Sequence, residues 1–114
     1  MKLSFHGADR GVTGSCHLLD CAGKRVWVDS GLHHGGREPY EENAEPIGFD
    51  AAAIETVLLP TAHLDHRGRL PPLATGGAAR TFLLRGEEEA MRQFAALLTD
   101  THVEMPAQGQ VFSL

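Results

Sequence analysis

A chain of 114 residues, 42% hydrophobic and 22% charged, has material for one modest core, so residues 1–114 read as a single domain and two independent domains are excluded. Its formal charge of −5 excludes a general electrostatic hold on nucleic acid, so RNA contact needs a local patch such as Arg67, Arg69, Arg80 and Arg85, and scattered surface arginines are the commoner arrangement. No stretch approaches membrane-spanning length, the amino terminus lacks a signal-peptide core, and Cys16 and Cys21 without such a signal argue against a disulfide, which makes a cytoplasmic protein the expectation.

Leu3 to Phe5 is a short apolar strand ending at Gly7. Ser15 to Asp20 and Arg25 to Asp29 flank Cys21-Ala22-Gly23-Lys24, the signature of a hairpin in which Val26 and Val28 alternate with Arg25 and Trp27. From Gly31 to Asp50 the glycines, prolines and charges predict a long loop with room for a short helix, of the kind that borders active sites. Ala51 to Ile54 then leads into the strand Glu55 to Leu59, which stops at Pro60.

Arg69 to Ala74 reads as a helix that tolerates Pro71 and Pro72 near its start, followed by a turn at Gly76-Gly77 and the strand Arg80 to Leu84. Glu87, Glu88 and Glu89 suit the positive end of a helix, and Met91, Phe94, Ala95 and Leu98 supply its buried stripe. The tail from Pro106 to Leu114 reads either as a short closing strand or as a frayed end. Strands alternating with helical segments make this an α/β domain.

The segment with chemistry is Val57-Leu58-Leu59-Pro60-Thr61-Ala62-His63-Leu64-Asp65-His66-Arg67-Gly68, which puts three metal-ligand types within four residues after a buried strand. Imidazole and carboxylate suit zinc, and a rigid strand end aims them at one point. Taken alone, His-x-Asp-His reads slightly more readily as polar turn residues with Asp65 capping the next helix.

The surroundings decide between them. The segment resembles the His-x-His-x-Asp-His signature of the metallo-β-lactamase superfamily. Phe5-His6-Gly7-Ala8, Val12-Thr13-Gly14-Ser15-Cys16, Val28-Asp29-Ser30-Gly31-Leu32, Gly35-Gly36-Arg37-Glu38 and Pro46-Ile47-Gly48-Phe49-Asp50 resemble the RNA-processing branch, the β-CASP nucleases, in the same order. The resemblance runs from Lys2 to about Met105 and implies the first half of an αββα sandwich, a mixed β-sheet with helices on one face. It also implies zinc-dependent phosphodiester hydrolysis, with two metal ions polarising the substrate and generating the nucleophile.

By that resemblance His63 is a ligand of the first metal, Asp65 and His66 are ligands of the second with Asp65 at the catalytic centre, and Asp29 supports the metal loop. Thr61 stands where the family has its first histidine, and a neutral hydroxyl replaces imidazole poorly. The family's remaining ligands lie in parts that this chain lacks, whereas a catalytic zinc takes three protein ligands plus water. Weak or absent zinc binding and little hydrolysis are therefore the expectation. His33 and His34 are candidate atypical ligands near the same sheet edge, although surface histidines of a glycine-rich loop account for them as well. His6 and His17 read as structural, while His102 follows the last helix in Asp100-Thr101-His102, which resembles a segment that precedes a ligand in the family and not the ligand itself.

Half a sandwich leaves an apolar sheet face to be covered by a second copy in a homodimer, by a complementary chain, or by a rearranged tail. Two functions are consistent with this sequence: an RNA hydrolase that works only when completed, and a non-catalytic binding or dimerisation module derived from the same fold.

Overall fold

The computed structural model describes residues 1–7, 13–34, 43, 47–68 and 78–114, with Leu64 and Asp65 described by their backbone alone. The expected helix from Arg69 to Ala74, the Gly76-Gly77 turn and most of the long loop, including Gly35 to Glu38 and Pro46, lie outside the described residues.

Six strands form one mixed sheet in chain order: β1 (Lys2–Gly7), β2 (Cys16–Cys21), β3 (Lys24–Val28), β4 (Thr56–Leu59), β5 (Arg80–Leu83) and β6 (His102–Glu104). β1, β2 and β3 pair antiparallel, and β3 through β6 pair parallel. The β2–β3 hairpin turns on two residues only, Ala22 at φ 51° and Gly23 at φ 79°. Two successive positive φ angles match the right-handed twist of the flanking strands.

Register sorts the side chains between two faces. Leu18 lies opposite Trp27, Trp27 beside Val57, Val57 beside Thr81 and Thr81 beside Val103, so these share one face with Cys16, Leu59 and Leu83. That face packs against a helix, α2 (Glu88–Leu97), through its buried Met91 and Phe94 and the following Leu98. Glu88 and Glu89 occupy the first turn of α2, where the helix dipole favours carboxylates, and Glu88 also pairs with Arg92 one turn on. Ile47 and Ile54 close the core from the connection that precedes β4, where Asp50 caps a 3-10 turn (Ala51–Ala53) by accepting from the Ala52 N–H at 3.0 Å.

The other face carries Leu3, Phe5, Leu19, Val26, Val28, Leu58 and Phe82. Residues after β6 turn back over its β4–β5 portion. Phe112 meets Phe82 edge-to-face at 4.9 Å, and Arg80 donates to the Ser113 carbonyl at 3.3 Å. A cavity of about 340 Å³ remains between tail and sheet, lined by Leu58, Phe82, Leu84, Pro106, Gln110, Phe112 and Leu114. The tail is thus neither a strand nor a loose end but a partial cover. It stops short of β1, where Leu3 is 53% and Phe5 70% exposed. Among the described residues the expected bare face is accordingly uncovered at Leu3 and Phe5 of β1 and occupied over β4–β5. His102, after the last helix, opens β6 and donates its backbone N–H to the Ala79 carbonyl.

Candidate functional site

The site lies where β3 and β4 end. Asp29 follows β3 with φ 64°, a left-handed conformation that Asp tolerates better than most residues and that re-aims its side chain across the strand end. Its N–H donates to the Leu58 carbonyl at 3.0 Å, which ties the turn to β4. The carboxylate, 90% buried, meets Nδ1 of His66 at 3.1 and 3.2 Å, and the Ser30 N–H donates to the His66 carbonyl at 2.9 Å. One residue is therefore gripped twice by the end of the neighbouring strand.

His66 sits in a single helical turn, α1 (Leu64–Arg67), which opens as the His66 N–H donates to the His63 carbonyl at 3.0 Å. Asp65 falls inside α1 and not at its cap; its side chain lies outside the described residues. Thr61 binds the start of the turn: its Oγ1 accepts from the His63 N–H at 3.3 Å and stands 3.1 Å from His63 Nδ1. His63 is exposed. Both histidines thus meet a side-chain oxygen at Nδ1.

His33 and His34 are anchored through their backbones. Asn43 accepts from the His33 N–H at 2.8 Å and donates to its carbonyl at 3.1 Å, while Thr13 makes the same two-way contact with His34 at 3.0 and 3.1 Å. The His33 ring lies over Gly14, where a Cβ would stand 2.5 Å from Nδ1. Among the described residues no three His, Cys, Asp or Glu side chains gather closely enough to hold a metal ion.

Sequence reading missed two supports of the turn. Arg67 donates from Nε to the Ala62 carbonyl and lays its guanidinium 4.2 Å over the ring of buried Phe94. Gly86, beyond β5, presses on Ala62 so closely that a Cβ would stand 3.1 Å from the Ala62 Cβ. No short-range pattern joins Arg67 to Phe94, and the α2 stripe signals only a buried ring. The proposed arginine patch is split, because Arg80 opens β5 and Arg85 follows its end.

The order and direction of the six strands, with α2 on one face, describe half of a metallo-β-lactamase fold. The metallo-β-lactamase fold protein YhfI from Bacillus subtilis superposes with a TM-score of 0.59 at 20% identity, over 98% of this chain and 47% of that one. No family model matches the chain. In sequence it is 48% identical over 77 residues to ribonuclease TTHA0252 of Thermus thermophilus, covering 68% of this chain and 17% of that protein. It is also 36% identical over 70 residues to endoribonuclease YSH1 of Yarrowia lipolytica, covering 57% and 8% respectively. The chain belongs to the metallo-β-lactamase-fold ribonuclease superfamily, and it spans less than a fifth of the length of these two curated relatives. Among the described residues no helix is long and apolar enough to cross a membrane.

Proposed function

We propose that this chain carries the metal-gripping half of a cytoplasmic, zinc-dependent RNA phosphodiesterase centre, with little or no activity by itself. The contact between His66 Nδ1 and the Asp29 carboxylate carries the reading. Histidines that bind metals characteristically give their second ring N–H to a carboxylate, which sets the tautomer and raises ligand basicity. His63 and His66 would hold zinc, with Asp65 of the same turn as the further candidate ligand, and Asp29 and Thr61 would orient the two rings. Zinc, when bound, supplies Lewis acidity toward a phosphodiester oxygen.

Thr61 adds no imidazole, and a catalytic zinc needs about three protein ligands. The missing donors would come from whatever covers the β1 end of the sheet, a complementary chain or a second copy packed on Leu3 and Phe5. Grafting the 77 matched residues into the Thermus ribonuclease tests this. The graft should bind zinc and cleave RNA slowly, and Thr61→His within it should speed cleavage; a folded graft that takes up no zinc with or without Thr61→His would end the reading. The tail seated on Phe82 favours a second reading, a non-catalytic module that pairs through the open part of its sheet. That module would dimerise without zinc.

A further inference from the structure

β3, β4 and β5 run parallel, and each is followed at the same edge of the sheet by polar residues: Asp29 after β3, Thr61 to His66 after β4, and Arg85 two residues after β5. Ligands of open α/β sheets bind outside these carboxyl ends. Arg85 is tied to the metal loop by its backbone, since its carbonyl accepts from the Ala62 N–H at 3.0 Å, one residue before His63. The next residue, Gly86 at φ 151°, keeps the two loops flush.

The side chain of Arg85 is exposed, and among the described residues nothing engages its guanidinium. The other described cations differ. Lys24, Arg25 and Arg92 sit in ion pairs, Arg67 is committed to Ala62 and Phe94, and Arg80 and Lys2 belong to the opposite edge of the sheet. A guanidinium is permanently charged and offers a planar donor fork that matches phosphate oxygens. The carboxylates that follow it are partly occupied: Glu88 by Arg92 and Glu89 by Gln93.

We propose that Arg85 is a phosphate-binding residue at the rim of the metal loop, holding a phosphodiester of single-stranded RNA beside His63. The assignment rests on the RNA reading above but needs no metal. With a net charge of −5 and carboxylates close by, binding is weak and sensitive to salt.

The full chain, treated with a chelator, is titrated with inorganic phosphate and separately with a labelled oligouridylate at several salt concentrations. Both ligands should move the Arg85 Nε resonance and the amides of Ala62 and His63. Arg85→Ala should weaken RNA binding about tenfold and flatten the log–log salt dependence by about 0.7, and Arg85→Lys should recover part of the affinity. Because Arg85 is exposed, an unchanged unfolding midpoint checks that each variant folds. Wild-type affinity and slope in Arg85→Ala would overturn the assignment and leave the RNA reading standing. Binding of free phosphate without RNA would overturn the phosphodiester as the ligand. Failure of the wild-type chain to bind RNA at low salt would overturn both.

Discussion

The carboxylate of Asp29 and Nδ1 of His66 face each other at 3.1 and 3.2 Å across the ends of two parallel strands, although 37 residues separate them in the chain. The contact ties β3 to the turn after β4 and directs the imidazole of that turn.

In the neutral imidazole of His66 the proton should therefore reside on Nδ1, and nitrogen NMR of the metal-free chain should find that tautomer. Asp29→Asn keeps a residue that tolerates positive φ and retains one acceptor oxygen, so it should cost about 0.5–1.5 kcal/mol and mix the tautomers. Asp29→Ala loses both features and should cost about 2–4 kcal/mol in denaturant unfolding. Equal costs for the two substitutions would contradict this view of Asp29.

Gly14 should tolerate no side chain. At φ 83° it lies under the His33 ring, and a Cβ would fall 2.5–2.7 Å from three ring atoms. Gly14→Ala should cost about 2–4 kcal/mol, against about 1 kcal/mol for Gly109→Ala, which has φ 82° and nothing within 4 Å of the added carbon. Matching denaturation midpoints for the two would show that the histidine has room to move.

The Arg67–Phe94 contact should appear as an energetic coupling. In a double-mutant cycle of Arg67→Ala and Phe94→Leu, the interaction should amount to about 0.5–2 kcal/mol, the hydrogen bond to Ala62 being lost equally in the Arg67 single and the double variant and so cancelling. A coupling near zero would mean that the ring and the guanidinium touch without stabilising each other.

Sequence patterns anticipated the elements that are long or strongly punctuated. The hairpin announced itself through Ala22-Gly23 between alternating strands, and α2 through Met91, Phe94 and Leu98. β6 has only three residues, too few for alternation to show, and its pairing with β5 is a tertiary contact that no local pattern encodes. At the site, residue types and their order marked His63, His66, Asp29 and Thr61, while the partner of each ring nitrogen depends on how strands pair. Arg67 was visible only as a positive charge, because its role follows from a ring more than twenty residues away.

The open part of the sheet makes a further prediction. Phe5→Lys replaces a side chain that is 70% exposed on the apolar face, so it should lower self-association in sedimentation experiments while leaving the unfolding midpoint within about 0.5 kcal/mol of wild type. Undiminished association would place the contact surface elsewhere.

A zinc titration of the apo chain, followed at once by calorimetry and by the imidazole resonances, tests the central claim most directly. It should give weak binding, with a Kd of about micromolar or higher, that moves His63 and His66 and is lost in His66→Ala. Unmoved resonances at saturating zinc would show that the turn after β4 is no metal loop, and two tightly bound ions would show that the chain is complete without a partner.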